Sequence, residues 1–468
     1  MELVIKNGTV VTANDCYKAD LGISNGKVAV IAAGLTEGDE VIDAAGCLVF
    51  PGFIDPHTHM ELPFMGTVSS DDFFSGTRAA ACGGVTTIID YCIQAPGETF
   101  VAALSRWKEK AEGKAVIDYG FHIAVPMIGD DLLDQMPAAV EAGVTSFKCF
   151  LAYKGTPLHI DDATLYKIIE KAKGCGALPM VHAENGDIVD ILSRQLVAEG
   201  KVQPKYHVLS RPHEAEAEAV GRAIALARLG GWSVYVVHVS SRLALAELRE
   251  ARDSGAAVYG ETCPQYLFLA FEDYAESGFE GAKYICSPPI RERANQDHLW
   301  SGLRTGDLQA VASDHCAFNF AGQKEMGRDD FTRIPNGCPG IETMFPLLFS
   351  AGVGKGRISL NRFVELSSTA SARLFGLWPQ KGTVAVGSDA DLVVYDPQKE
   401  TTLRQKTLHS SVDYCLYEGW QITGYPVYTI SRGEVLYRQG QVTPVARAGR
   451  GRYLKRRRWN GLEFPLKP

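Results

Sequence analysis

The sequence lacks the features by which membrane and secreted proteins are recognised. It contains no run of about twenty consecutive apolar residues, and its opening Met-Glu-Leu-Val-Ile-Lys shows no basic segment followed by an apolar one. Its 11 cysteines include no Cys-x-x-Cys pair and no zinc-finger spacing. These absences predict a cytoplasmic protein with reduced thiols and no membrane partner.

Positive charge is scarce as well. Lysine and arginine total 47 against 55 aspartates and glutamates, which gives a formal net charge of −8. Because a protein that binds nucleic acid needs a basic face, we expect no nucleic-acid partner. The one basic run, residues 455–458, adjoins Trp459. In an acidic chain this run favours a solvated tail or a tail that docks on another subunit.

The two ends of the chain have the pattern of antiparallel β-structure. Short alternating runs before residue 50 are interrupted by Asn-Gly at 7–8 and again at 25–26, and Asn-Gly is a strong hairpin signal. Similar runs return after residue 380. Since each segment is too small to bury a core alone, we predict that the two pack together as one small sandwich.

The middle of the chain alternates apolar strands with helical patterns. This order predicts a parallel sheet covered by helices, and eight strands are the number that a closed barrel needs. The predicted fold class is therefore α/β, a (β/α)8 barrel with a small β-sandwich built from both chain ends. The predicted strands cover residues 48–54, 85–91, 117–125, 146–151, 177–181, 233–237, 258–261 and 308–312. The predicted domains are 1–50 and 379–445 for the sandwich, 51–378 for the barrel, and 446–468 for a tail that contacts another subunit.

Potential metal ligands stand at the ends of five of these strands. His57 and His59 follow the first strand, and residues two apart on an extended chain point to the same side. The carboxyl ends of barrel strands meet at one mouth, so side chains placed there converge. Four imidazoles and a carboxylate suit zinc or a similar divalent ion. The complete candidate set is His57, His59, Lys148, His182, His238 and Asp314.

Lys148 is the unusual member of this set. An ammonium beside metal cations is electrostatically unfavourable, and the pKa of a lysine falls readily in such a place. A neutral amine could capture carbon dioxide as a carbamate, an anion whose two oxygens can bridge two metal ions. Two cations that share a hydroxide keep a nucleophile near neutral pH and polarise the carbonyl that it attacks. Asp314 could then carry the proton of the hydroxide to a leaving ring nitrogen.

The motifs that hold these residues resemble those of a known family. They read Pro-Gly-Phe-Ile-Asp-Pro-His-Thr-His, Ser-Phe-Lys-Cys-Phe-Leu-Ala-Tyr-Lys, Val-His-Ala-Glu-Asn, Val-His-Val-Ser, Ser-Pro-Pro-Ile-Arg and Ile-Pro-Asn-Gly. Over essentially its whole length the chain is similar to the cyclic amidohydrolases of the dihydropyrimidinase and hydantoinase family. The resemblance implies a homotetramer with two zinc ions per chain, or other divalent metals. It implies His57, His59 and Asp314 on one ion, His182 and His238 on the other, and carboxylated Lys148 as the bridge.

The residues that handle the substrate follow from position and resemblance together. Tyr153 lies just past the fourth strand, where its phenol could donate to a developing oxyanion, as the corresponding tyrosine of the family does. The resemblance implies that backbone groups at Ser287 and Asn336 hold the amide edge of the ring. The implied reaction opens five- or six-membered cyclic ureides, such as hydantoins and dihydropyrimidines, to N-carbamoyl amino acids.

Related activities are alternatives at this point. Mononuclear deaminases of the same superfamily lack the strand-four lysine, so Lys148 argues against them. Dihydroorotases place an arginine shortly after the first His-x-His, whereas residues 60–64 contain no cation. This loop and Phe150 favour an apolar pocket for a ring substituent, which is a hydantoinase trait. An allantoinase-type activity stays open, and a non-catalytic dihydropyrimidinase-like scaffold is disfavoured because all six ligand positions are intact.

Overall fold

The chain alternates strands and helices through its middle and is dominated by strands at its ends. The computed structural model describes residues 1–95, 97–126 and 130–461. The strands are β1 (Leu3–Lys6), β2 (Thr9–Val11), β3 (Cys16–Lys18), β4 (Asp20–Ser24), β5 (Lys27–Ala32), β6 (Glu40–Asp43), β7 (Leu48–Pro51), β8 (Phe53–Thr58), β9 (Pro63–Phe64), β10 (Thr67–Val68), β11 (Val85–Ile93), β12 (Asp118–Ala124), β13 (Ser146–Phe150), β14 (Leu178–His182), β15 (Val234–Val236), β16 (Val258–Thr262), β17 (Ala310–Val311), β18 (Leu392–Thr402), β19 (Gln421–Ser431), β20 (Glu434–Arg438) and β21 (Gln441–Val442).

The helices follow the barrel strands and lie outside them. They are α1 (Phe73–Cys82), α2 (Phe100–Ala111), α3 (Asp130–Leu133), α4 (Met136–Glu141), α5 (Asp162–Cys175), α6 (Gly186–Ala198), α7 (Lys205–Leu209), α8 (His213–Gly230), α9 (Arg242–Asp253), α10 (Pro264–Phe268), α11 (Gln296–Thr305), α12 (Met344–Leu348), α13 (Leu360–Val364) and α14 (Ala370–Leu374). In α5, Asp161 caps the N-terminus by accepting from Thr164 N at 2.8 Å. None of the helices in the described ranges combines the length and the apolar content that crossing a bilayer requires.

Eight parallel strands form the barrel. They stand side by side in chain order, β8 and then β11 through β17. The first and last strands approach each other next to His315, whose carbonyl oxygen accepts from His59 N at 2.9 Å. The predicted fold class, a (β/α)8 barrel with a β-sandwich from both chain ends, is therefore confirmed.

The predicted first strand is two strands in the structure. β7 pairs with β2 and β18, outside the barrel, whereas β8 pairs with β11 inside it. The break falls at Gly52, where a Cβ atom would lie 2.1 Å from Thr86 Oγ1, so only glycine fits. The apolar run of residues 48–54 therefore crosses from one sheet to another, and its hydrophobicity pattern does not reveal the change.

The strand-rich ends form two facing sheets. A four-stranded sheet has the order β5-β4-β1-β6, and a seven-stranded sheet has the order β21-β20-β19-β18-β7-β2-β3. Their shared core includes Leu21, Val49 and Leu392, which come from three distant parts of the chain. The hairpin expected at residues 25–26 joins β4 to β5.

The other predicted hairpin, at residues 7–8, was wrong. β1 pairs with β4 and β6, while β2 pairs with β3 and β7, so the turn sends the chain from one sheet to the other. Asn7 has the left-handed backbone (φ 62°) that Asn-Gly favours, and its N–H donates to Asp20 Oδ1 at 2.8 Å. The local turn chemistry was identified correctly, but tertiary packing decides what the turn connects.

The C-terminal segment lies across the amino ends of the barrel strands of its own chain. Tyr119 N donates to Arg452 O at 3.0 Å, and Arg456 Nη2 donates to Ser146 Oγ at 2.9 Å. Arg456 and Trp459 are buried, so the basic run is only partly solvated. A contact of this tail with another subunit stays a prediction.

Candidate active site

The six candidate ligands converge at the carboxyl mouth of the barrel, and all are buried or nearly so. His57 lies within β8, and His59 follows it. Asp314 lies three residues after the end of β17. Asp314 Oδ1 is 3.1 Å from His57 Nε2 and 3.3 Å from His59 Nε2. Three donor atoms from the two edges of the barrel sheet therefore meet at one point.

The other three candidates complete a second cluster next to the first. Lys148 Nζ, from β13, lies 2.9 Å from His57 Nε2. The imidazole ring centroids of His182 and His238 are 4.5 Å apart, and that of His238 is 5.4 Å from that of His57. The structure thus brings together all six residues that strand-end reasoning selected.

Burial lowers the pKa of three of the four histidines and of Lys148. It lowers the pKa of His57 and His238 well below the usual value, and it lowers that of His59 as well. Burial also lowers the pKa of Lys148 to about 8, against the attraction of nearby Asp314. Neutral imidazoles are metal ligands, and a lysine with this pKa is partly a free amine at neutral pH.

Two carboxylates that sequence reasoning missed orient the histidines. Glu261, at the end of the seventh barrel strand, lies 2.5 Å from His57 Nδ1. Glu184 Oε2 lies 2.8 Å from His182 Nε2. A carboxylate on one ring nitrogen fixes which nitrogen faces the ligand. The signal was present, because Glu261 stands at a strand end and Glu184 follows His182 by two residues.

Three of the predicted functional residues have left-handed backbones. The φ angles are 60° at Tyr153, 39° at His238 and 49° at Asp314. Such values are unfavourable for side-chain-bearing residues and collect at functional sites, where the surrounding fold holds them in place. Each residue lies just after a barrel strand, so the abrupt turn aims its side chain into the mouth.

An inner cavity of about 50 Å³ is lined by five of the six candidate ligands, all except His57, and also by Tyr153, Ser287 and Asn336. The phenol of Tyr153 makes no hydrogen bond with any residue in the described ranges, and burial raises its pKa. Asn336 Nδ2 donates to Ser287 Oγ at 3.3 Å. The backbone N–H and C=O groups of these two residues have no partner among the described residues.

The inner cavity opens into an outer cavity of about 1450 Å³. Six residues line both cavities: apolar Phe64, Ile93 and Leu158, and polar Tyr153, Ser287 and Asn336. Lys148 is the only Lys or Arg among the residues that line the inner cavity in the part of the chain described. A neutral ring with an apolar substituent matches this lining better than a ring that carries a carboxylate.

The donor set fits divalent metal ions. His57 Nε2 and His59 Nε2 both face Asp314 Oδ1, at 3.1 and 3.3 Å, and one donor atom from each of the three residues lies within 4.8 Å of the others. Two imidazole nitrogens and a carboxylate oxygen this close together are spaced to share one ion. Nitrogen and oxygen donors of this kind are those that zinc and similar ions accept.

Comparison with known proteins agrees with the geometry. Residues 48–436 match the sequence profile of the amidohydrolase family. The chain belongs to the amidohydrolase family. It is 53% identical to the D-hydantoinase of Geobacillus stearothermophilus over 99% of this chain and 98% of that protein. It is 47% identical to the D-hydantoinase of Ralstonia pickettii over 98% of this chain and 100% of that one.

A solved structure of similar sequence has the same fold as this amidohydrolase. The crystal structure of the dihydropyrimidinase from Brevibacillus agri NCHU1002 superposes with a TM-score of 0.96 at 53% identity. The alignment covers 98% of this chain and 99% of that one. The predicted membership of the dihydropyrimidinase and hydantoinase group is confirmed. Amidohydrolases are metal-dependent enzymes, and the His57, His59 and Asp314 cluster of this member is suited to a metal ion.

Proposed function

We propose that this amidohydrolase hydrolyses the cyclic amide bond of hydantoins and dihydropyrimidines and releases N-carbamoyl amino acids. The observation that carries the proposal is the buried Lys148 amine, 2.9 Å from His57 Nε2 within a set of histidines and Asp314. The names of the similar proteins, D-hydantoinase and dihydropyrimidinase, support the substrate class and favour the D-enantiomer of 5-substituted hydantoins.

The six ligands divide into two sets in this proposal. His57, His59 and Asp314 would hold one zinc ion, His182 and His238 would hold a second, and Lys148 as a carbamate would be a ligand of both. Carbamate formation adds carbon dioxide to the neutral amine and releases one proton, which takes the side chain from neutral to a charge of −1. When bound, the ions supply a hydroxide near neutral pH and polarise the carbonyl group of the substrate.

Asp314 is the proposed proton carrier. Its Oδ1 lies between the two histidines of the first set, and the residue lines the inner cavity where a ring would be held. As the carbonyl carbon gains oxygen, Asp314 takes the proton of the attacking group. It then gives this proton to the ring nitrogen as the carbon–nitrogen bond breaks. The new carboxyl group ionises, so the product is an anion.

Tyr153, Ser287 and Asn336 are the proposed substrate contacts. The free phenol of Tyr153 donates to the carbonyl oxygen as negative charge develops there. The unpartnered backbone groups of Ser287 and Asn336 match the alternating N–H and C=O edge of a cyclic ureide. Apolar Phe64 and Phe150 line the space for the ring substituent.

The test is ring opening by metal-replete protein. The panel is dihydrouracil, a 5-aryl hydantoin in both enantiomers, allantoin and dihydroorotate, with metal per chain measured on the same sample. We expect about two metals per chain and turnover of dihydrouracil and the aryl hydantoin only. Faster turnover of dihydroorotate or of allantoin than of these two substrates would assign a dihydroorotase-type or an allantoinase-type activity instead. Inactivity on all substrates with metals present would contradict the proposal.

We further propose that the active protein is a cytoplasmic homotetramer that acts on a small molecule and binds no nucleic acid. The resemblance to hydantoinases and the formal charge of −8 support this. Light scattering on eluting protein measures the mass, and a monomer of 50.8 kDa with full activity would contradict the tetramer.

A further inference from the structure

The outer cavity contains one cationic side chain that lacks a counter-ion. Among the residues that line it in the described ranges, the lysines and arginines are Lys154, Arg194 and Arg211. Lys154 Nζ lies 3.0 Å from Asp187 Oδ1, and Arg194 is paired with Asp190. Arg211 forms no ion pair within 4 Å with any described residue. A partly buried guanidinium without a counter-ion is costly, and an anionic ligand compensates for it.

The hydrogen bonds of Arg211 fix its side chain but use only part of it. The residue lies between α7 and α8, and its Nη1 donates to His207 O at 3.2 Å and to Ser210 Oγ at 2.8 Å. Nε and Nη2 have no hydrogen-bond partner in the described part of the chain. The guanidinium is thus held against its own turn, with two nitrogens left for a ligand.

Arg211 stands next to the catalytic groups. Arg211 and Tyr153 both line the outer cavity, and burial lowers the pKa of Arg211 although the charge of Glu184 opposes this. Glu184 is the nearest opposing charge, but it forms no ion pair with Arg211 within 4 Å, and its Oε2 lies 2.8 Å from His182 Nε2. A molecule that leaves the inner cavity past Tyr153 therefore meets an unpaired positive charge.

We propose that Arg211 binds the carboxylate of the ring-opened N-carbamoyl amino acid in the outer cavity. The inference rests on the proposed function. Hydrolysis breaks the carbon–nitrogen bond, transfers a proton to nitrogen and leaves the incoming oxygen in a carboxylate, so a neutral ring becomes an anion. Arg211 discriminates between substrate and product, because only the product carries a carboxylate. The two carboxylate oxygens can each accept a hydrogen bond from one of the two free guanidinium nitrogens.

The test compares binding of product with turnover of substrate. The variants are Arg211→Met, Arg211→Lys and, as matched control, Arg194→Met, whose side chain is 75% exposed and already paired. We expect Arg211→Met to raise the inhibition constant of the N-carbamoyl amino acid about tenfold or more. The change in kcat/KM for the neutral hydantoin is expected to be several times smaller. Arg211→Lys should fall between, and Arg194→Met should match the parent.

Three further readouts keep the result interpretable. Thermal unfolding and metal content show whether each variant is folded and loaded. Calorimetric titration with the product measures binding at the same site without turnover. If the parent protein binds the product through Arg211 but opens no ring, that result contradicts the proposed function and not the binding inference. An inhibition constant within twofold of the parent in folded Arg211→Met would overturn the inference.

A carboxylate could also come from the substituent of the ring. A hydantoin with a carboxyethyl group at position 5 distinguishes this source. Arg211→Met could raise KM for that substrate but leave unchanged the inhibition constant of a product whose substituent is uncharged. In that case Arg211 binds the carboxylate of the substituent, and the product-binding inference is wrong. A rise in the inhibition constant for both products supports it.

Discussion

Glu261→Gln tests whether the carboxylate behind His57 governs metal affinity. Glu261 and His57 are fully buried, their contact is 2.5 Å, and Tyr235 donates its hydroxyl to the second Glu261 oxygen at 2.8 Å. Glutamine keeps the volume and one acceptor but removes the charge. Loss of an outer partner of a metal-binding histidine typically weakens metal binding about 10- to 100-fold. With one acceptor retained, we expect about tenfold, or roughly 1.4 kcal/mol.

The pH dependence sharpens this prediction. Burial raises the pKa of Glu261 to about 8, so the carboxyl is largely protonated at neutral pH when no cation is present. Metal binding then releases a proton from it, and affinity rises as the pH increases towards 8. Glutamine carries no such proton. Between pH 6 and 8 the slope of log Kd against pH should therefore be smaller in the variant, by up to about one proton.

Competition with a chelator measures the metal dissociation constant, and metal per chain is counted after gel filtration. Glu292→Gln is the matched control, because Glu292 Oε2 lies 2.6 Å from His213 Nε2 and neither residue belongs to the cluster of six ligands. It should bind metal as the parent does. If Glu261→Gln binds metal within twofold of the parent with the same pH slope, the assigned role of Glu261 is refuted.

Three other substitutions test separate parts of the molecule. Lys148→Ala should lose metal and activity, with partial rescue by small carboxylates, and a fully active variant would exclude the bridge. Tyr153→Phe should lower kcat about a hundredfold at unchanged metal content, as for one oxyanion donor, and an unchanged kcat would remove the phenol from the mechanism. Lys381→Met removes the amine that contacts buried Asp391 at 2.6 Å and buried Asp118 at 2.7 Å. Asp118 keeps its ion pair with Arg432 but Asp391 loses its cation, so the free energy of unfolding in urea should fall by about 3–5 kcal/mol. Lys27→Met removes a half-exposed partner of the neighbouring Asp389 and should cost less than about 1 kcal/mol; equal losses would contradict the argument from burial.

The grouping of the candidate ligands at one mouth was predictable because the position of the strand ends follows from the barrel topology alone. Once eight strands alternate with helices, each carboxyl end must reach the same mouth, so His57, Lys148 and Asp314 could be grouped although they are up to 257 positions apart in a sequence of 468. The chemistry of the side chains then limited what the group could bind. No contact had to be known in advance.

Features that depend on packing between elements were not predictable in the same way. The run across Gly52 is apolar on both sides of the break, and only the approach of Thr86 shows why the chain changes sheets there. The turn at Asn7 has the expected backbone but connects different sheets. The contact of Glu261 with His57 depends on the distance between the ends of β8 and β16, which pattern alone does not give.

The position of β7 has a consequence for synthesis on the ribosome. This strand lies between β2 and β18 in the seven-stranded sheet, and β18 begins 341 residues after β7 ends. At about 5–20 residues per second, an edge of β7 stays unpaired for roughly 20–70 s while the barrel is made. The nascent protein therefore carries an open sheet edge through most of its translation, a period in which chaperone binding to residues 48–51 would protect it from pairing with other chains.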